Sequence, residues 1–183
     1  MKSLAHFENH PGSIPLMADD VLEFHASRIL LLIKLCGTSG RIEGLTKMAK
    51  LDFFVRYPQF FSVACEELGK QVPTQKQQVE SSMIRFHYGP WDDRYYHLLS
   101  YLEAKQLISI TASGKRYNLA LTNSGKSVAI RFEKDEIFAE IVDHMKHVKK
   151  VLGAKSGSAL KKLVYMLFDN EVARRTLGEV IRK

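Results

Sequence analysis

The chain has 183 residues, 45% hydrophobic and 26% charged, with a formal net charge of +7. That length holds one good core, or one domain with a small appendage, and the composition argues against wholesale disorder. The charge is uneven: from Ile141 to the end ten Lys or Arg stand against four acids, leaving +1 for everything before. A basic C-terminal segment suggests an anionic partner, nucleic acid or the acidic face of another protein; the plainer alternative is a solubilising helical surface.

Residues 1–18 read as an irregular arm, because Asn9, Pro11, Gly12 and Pro15 oppose regular structure and no apolar run of a secretory signal is present. Asp19 or Asp20 is expected to cap a first helix ending at Gly37. Its residues Val21, Leu22, Ala26, Ile29, Leu30, Ile33 and Leu35 make it apolar on more than one side. Such a helix calls for cover from its own domain and from another surface, as in a dimer or complex. The longest apolar run, residues 29–33, is halted by Lys34 and is far too short to span a bilayer. Cys36 and Cys65 lack CxxC spacing and lie within apolar helical patterns, which points to buried thiols in a reducing cytosol. A soluble, cytoplasmic protein is expected.

A turn at Thr38, Ser39 and Gly40 leads to a short strand over residues 41–43. The run LTKMAKLDFFVRYP then carries Leu45, Met48, Leu51, Phe54 and Val55 at helical spacing, and Pro58 forces a break or kink at Tyr57. QFFSVACEEL continues as a helix to Gly69. Residues 70–80, polar and holding Pro73, form an exposed loop, and SSMIRFHYG is extended.

The stretch from Gly89 to Lys126 organises the rest. Pro90 sits outside a helix that Asp92 or Asp93 starts, and Tyr95, Leu98, Leu99 and Leu102 give that helix one apolar face. LISIT and YNLALT, joined through Ser113 and Gly114, read as a hairpin, and Thr122 caps the next helix. The segment GKSVAIRFEKDEIFAEIVDHMKHVKKVL is one long helix or two, ended by Gly153. AKSGS reads as a hinge, LKKLVYMLF as a strongly amphipathic helix, and residues 172–181 as a last one after a break at Asn170. Helix, hairpin, helix in this order is the second half of a winged helix-turn-helix. The predicted architecture is therefore α+β, mostly α. It comprises an arm over 1–18, a winged-helix domain with a helical insertion over 19–132, and a basic helical extension over 133–183.

Candidate chemistry is sparse. NSGKS at residues 123–127 lies between a strand and a helix, but a phosphate-cradling loop needs Gly four positions before its GK[ST], and Ala120 stands there. Thr122 as a cap and Gly125 as a close-packing residue explain it better. His144 and His147 share a helical face, yet two imidazoles do not complete a tetrahedral site, so solvated histidines beside Lys146, Lys149 and Lys150 are expected. His87 and His97 lack a nucleophile or paired carboxylates around them, because Asp92 and Asp93 are read as caps. No catalytic residue, metal or cofactor is expected.

Surface contacts are better supported. Lys115 and Arg116 sit at the hairpin tip with Lys126 and Arg131 just after it, while Arg41, Lys47, Lys50 and Arg56 line the helix after the first turn. These are phosphate-type contacts, which position a protein without reading sequence. The helix that would enter a groove offers Arg94, Tyr96, His97, Ser100 and Glu103, a weakly basic set for a sequence reader. Leu160, Leu163, Val164, Leu167 and Phe168 form an apolar stripe that must be covered by its own domain or by a partner.

The runs KLDFFVRYPQFF, RFHYGPWDDRYYHLLSYLEAKQLI and YNLALTNSGK resemble the small winged-helix middle component of three-gene bacterial ABC systems, in which an SMC-like ATPase is encoded with an effector, as in Lamassu-type anti-phage defence. The resemblance spans most of the chain from the first helix on, and LDFF-x-RYP is its most telling motif. It implies a non-catalytic accessory subunit near the ATPase heads, helping couple DNA sensing to control of an effector nuclease, with double-stranded DNA met through the complex and no membrane. The alternative is a free-standing winged-helix transcriptional regulator, dimeric through its first and last helices; an enzyme has the least support.

Overall fold

A central helix, α1 (Leu22–Cys36), determines how everything else is arranged. The structure is a computed structural model that describes residues 21–72, 83–86, 89–114 and 116–168. The expected arm, Asp19 and Asp20, Lys115, most of the 70–80 loop, Asn170 and the last expected helix lie outside the described residues. Residues 29–33 of α1 are all buried, because helices from both halves of the chain close around it. The second covering surface inferred from its sequence is supplied by the same polypeptide.

The chain turns at Gly37, enters β1 (Arg41–Glu43) and then α2 (Leu45–Arg56). Pro58 stands in the first turn of α3 (Pro58–Glu67), where its missing N–H costs nothing. The break at Tyr57 brings Phe53, Phe54, Phe60 and Phe61 into one buried aromatic group. Two short strands, β2 (Ile84–Phe86) and β3 (Gly89–Trp91), pair antiparallel as a separate ribbon where an extended segment was expected. Next come α4 (Tyr95–Ala104), β4 (Ile108–Ser113) and β5 (Arg116–Leu121). Strands β1, β5 and β4 form an antiparallel sheet in that order, with Ile42, Leu119 and Ile110 aligned across it. Tyr95, Leu98, Leu99 and Leu102 turn inward, as their spacing predicts.

The long C-terminal segment is two helices, α5 (Asn123–Lys134) and α6 (Ala139–Leu152), separated by a 3₁₀ turn at Glu136–Phe138. Asp135 makes the break by accepting the Ile137 N–H at 3.0 Å. Ser156 caps α7 (Gly157–Leu167) by accepting from Ala159 N at 3.1 Å. α6 packs on α1 and α2, and α7 on α2 and α3. The described part of the basic extension thus belongs to the same core as residues 22–132.

This corrects the partner-facing reading of the α7 stripe. Leu160, Leu163, Val164 and Phe168 are buried within the chain, and Leu167 is packed against the core. Phe168 locks the arrangement, with its ring centroid 4.6 Å from that of Phe60 and 6.0 Å from that of Phe53. His144, expected in solvent, is also buried: its Nε2 lies 2.9 Å from the Phe54 carbonyl and its ring stands edge-on to Phe61. Burial pushes its pKa below the ordinary histidine value, so the neutral form that donates to Phe54 is favoured.

The junction after the hairpin is tight. Thr122 Oγ1 accepts from Gly125 N at 3.0 Å and donates to the Gln106 carbonyl at 2.6 Å, so one hydroxyl ties α5 to the end of α4. A Cβ at Gly125 would fall on the backbone carbonyl of Leu107, which cannot swing aside as a flexible side chain would. Gly125→Ala should therefore lower stability by about 3 kcal/mol, the upper end of the overpacking range. Gly114→Ala, at φ +60° with open space around it, should cost only about 1 kcal/mol. Urea unfolding of both variants checks this; equal losses would contradict the close approach.

Candidate docking and nucleic-acid interface

Six cations that a helical surface pattern would leave in solvent turn inward, and where they go decides what the surface can do. Asp52 of α2 accepts from Arg28 Nε at 2.9 Å, from Arg28 Nη2 at 3.3 Å and from the Tyr95 hydroxyl at 2.7 Å. Asp92, just before α4, accepts from Arg56 Nη1 at 2.6 Å, and from Arg94 through Nε at 2.9 Å, Nη2 at 2.8 Å and the backbone N–H at 3.0 Å. Arg56 Nη1 also lies 3.8 Å from Asp52, so the two carboxylates share a guanidinium. His25 stands between Arg28 Nη1 at 2.7 Å and Arg94 Nη1 at 2.8 Å. Guanidinium groups only donate, and a neutral imidazole accepts at one nitrogen, so these two contacts cannot both be full hydrogen bonds.

This network, buried except at Arg94, joins α1, α2 and the start of α4. It revises two readings. α4 begins at Tyr95 without a side-chain cap, so Asp92 is a charge partner first and a turn-former second. Arg94, assigned to the polar face of the groove helix, is folded back onto Asp92 and His25. Burial by itself would raise the Asp92 carboxyl, but the Arg94 hydrogen bonds and the Arg56 charge outweigh it and hold the pKa well below the usual carboxylate range. Burial, with the Asp52 charge behind it, pushes the Tyr95 hydroxyl well above its ordinary value, which keeps it a donor.

Lys50 and Lys47 are not phosphate contacts. Lys50 is 1% exposed, and its Nζ donates to the Pro90 carbonyl at 2.9 Å, fastening α2 to β3. Burial, then the charge of Lys161, lowers its pKa to about 7. Lys47 Nζ donates to the Gly153 carbonyl at 3.0 Å, at the C-terminal end of α6. Lys149 does the same at the end of α1, bonding the carbonyls of Cys36 and Gly37. Both lysines meet the negative ends of helix dipoles. The Asp52–Arg56 spacing of four inside LDFFVR was the available signal for a buried pair; nothing local marks the two capping lysines.

Two exposed surfaces bear on the contacts expected from the sequence. On the first, α4 contains no Lys or Arg between Tyr95 and Ala104 and exposes Tyr96, His97, Ser100 and Glu103. Tyr96 is 60% exposed and leans on Trp91, with ring centroids 5.7 Å apart. Glu103 Oε1 accepts from Ile110 N at 3.0 Å, occupying a backbone donor on the open edge of β4. Three other sequence-predicted cations are exposed: Lys126 and Arg131 on α5, which form the second surface, and Arg116 at the hairpin. Lys115 lies outside the described residues. Arg41 is exposed at the far edge of the sheet.

Enzyme-like features are few. A cleft of about 510 Å³ between α3 and α6 is lined by Phe61, Lys70, His147, Lys150 and Val151 among others, with no carboxylate, serine or cysteine among its described lining residues. Among the described residues no group of three or more His, Cys, Asp or Glu could hold a metal, and no helix is long and apolar enough to cross a membrane. Cys36 and Cys65 are buried free thiols, and burial raises the Cys36 pKa to about 12.

Two substitutions test these assignments. Asp92→Asn takes from Arg56 the nearer of its two carboxylates, leaving Asp52 at 3.8 Å, and takes the charge partner from Arg94; it should cost about 3 kcal/mol at pH 7. The Asp92 pKa is depressed in the fold, so its contribution is complete above the ordinary carboxylate pKa and is lost as pH falls below it. The gap between wild type and variant should therefore narrow below about pH 4; a gap unchanged down to pH 3 would contradict the charge assignment. Lys50→Met addresses the opposite case. With its folded pKa near 7 against an ordinary 10.5, the unfolded chain binds a proton the folded chain lacks, so wild-type stability should rise from pH 7 to about 8.5. In Lys50→Met that rise should flatten, with affinity for duplex DNA unaltered; urea midpoints across the range read the first and a titration the second.

No protein-family model, curated protein or solved structure matches the chain.

Proposed function

We propose that the protein is a winged-helix accessory subunit that performs no catalysis and works by docking. The order helix, strand, helix, helical insertion, helix, hairpin, with a β1-β5-β4 sheet, supports the winged-helix reading. In that reading α4 occupies the groove-helix position. The observation that carries the functional reading is the surface of α4: an exposed tyrosine backed by Trp91, no cation within the helix, and its neighbouring arginine held inward. The strongest base-edge contacts are the bidentate ones of Arg, Lys, Asn and Gln, and α4 has none of these residues between Tyr95 and Ala104. An exposed aromatic on a rigid helix suits a protein interface, where buried Tyr and Trp provide most of the binding energy.

The resemblance stated above names the partner class: an SMC-like ATPase of a Lamassu-type defence system, bound near its heads, with the subunit helping couple DNA sensing to control of an effector nuclease. DNA then meets the subunit through the assembled complex. The alternative, a free-standing regulator, requires sequence-selective binding by the chain alone.

Co-expression with a coiled-coil ATPase encoded by a neighbouring gene, which the proposal requires to exist, tests it. The wild-type chain should co-purify with the ATPase. Tyr96→Ala should weaken that association by about 2 kcal/mol, roughly thirtyfold, while leaving the fold intact. Selection from random duplexes should yield no consensus. A palindromic consensus bound by the isolated chain, with α4 substitutions changing the selected bases, would instead establish the regulator.

A further inference from the structure

We infer that the outer face of α5, with Arg116 of the hairpin, is the surface that holds DNA, through its phosphate backbone. This rests on the reading above only in taking DNA as the nucleic acid present in the complex. Asn123, Ser124, Lys126, Ser127, Ile130, Arg131 and Lys134 are exposed on α5, whereas Gly125 and Ala129 are buried and Val128 and Phe132 pack against the core. At 3.6 residues per turn the exposed residues cover a broad arc, with Asn123, Ser127 and Ile130 near its middle. Lys126 and Arg131, about 140° apart around the axis, flank that strip on either side.

Two facts make the face cationic. Its one acid within the helix, Glu133, is turned aside to Lys34 at 2.8 Å and to Lys146 at 3.7 Å. Lys126, Arg131 and Arg116 make no ion pair among the described residues. Lys134 counts for less, because exposed Asp135 and Glu136 follow it directly.

The chemistry of the strip selects the partner. A protein interface needs an apolar or aromatic anchor at its centre, and here the centre holds short polar side chains and one isoleucine. A membrane-surface helix needs its apolar side free, and that side of α5 lies against α1. Lys, Arg, Ser and Asn side chains presented without an acid among them are the groups that contact phosphate and sugar in protein–DNA complexes. Such contacts are blind to sequence, consistent with a subunit whose α4 carries no base-reading set.

The test uses the full chain and fluorescence anisotropy with two unrelated duplexes of about 25 base pairs over a series of salt concentrations. Wild type should bind both duplexes alike. Lys126→Glu with Arg131→Glu should weaken binding at least about tenfold and reduce the slope of log affinity against log salt by about 2, one unit for each phosphate that is no longer neutralised. Lys126→Gln with Arg131→Gln, which adds no repulsion, should reduce the slope similarly with a smaller loss of affinity. His97→Ala with Ser100→Ala on α4 should change neither quantity. Undiminished binding by the α5 variants overturns the assignment while leaving the docking proposal in place, whereas binding abolished through α4 overturns both. No binding by wild type to either duplex at low salt overturns it as well, and loss of binding to polyglutamate but not to DNA would assign the face to an acidic protein instead.

Discussion

Two carboxylates and three guanidiniums at the meeting of α1, α2 and α4 constrain this fold more than any other contact. Taking such groups out of water is costly, and their mutual attraction recovers that cost only when geometry and hydrogen bonding are good. Here both aspartates accept several donors at 2.6 to 3.3 Å. A hydrophobic substitute of the same volume could be as stable, so the network is not explained by stability. What charge supplies is direction. Arg56 reaches both aspartates, and with Arg28 and Arg94 it fixes how far α4 stands from α2 and how it is turned. The exposed side of α4 follows from that orientation.

The same contacts set the limits of sequence reading. The elements were legible because they rest on local chemistry: Pro58 ending one helix and starting the next, Thr122 capping α5, and the 3–4 spacing of Tyr95, Leu98, Leu99 and Leu102. The fate of individual cations was not, because a lysine on an amphipathic helix looks alike whether it meets solvent or the end of a distant helix. Lys47 and Lys149 each close a contact more than a hundred residues away. Lys50 escapes sequence reading for a related reason. It lies within a helix whose residues 48–56 are all buried, including its three charged ones, and no 3–4 stripe distinguishes a solvent side in such a segment. Asp52, set between Leu51 and Phe53 in LDFFVR, was the one local warning, since an acid inside an apolar run persists only with a partner.

The two exposed surfaces have unlike physics. On α4 an aromatic ring stands on a helix held by buried charges, so a partner meets a rigid anchor and little ordering is needed on binding. On α5 the side chains are long or small and polar, and their attraction to an anion is electrostatic and strongly dependent on salt. One surface suits a partner with fixed geometry and the other a polymer with repeating charge. On the proposed reading, the first surface would meet the protein partner and the second the DNA backbone.

Net charge alone would have misplaced the second surface. The surplus at the level of sequence lies after Ile141, yet part of it faces inward or is neutralised: Lys149 caps α1 and Lys146 shares Glu133 with Lys34. The residues before Ile141 sum to almost nothing, but they contain acids that pair internally at Asp52, Asp92 and Glu133. Lys126 and Arg131 stay exposed on a helix whose one acid, Glu133, is paired elsewhere, so α5 carries a local positive face within a nearly neutral half of the chain. A field outside a protein is made by charges that are both exposed and uncompensated, and in this fold their positions are decided by where the buried carboxylates draw the remaining arginines.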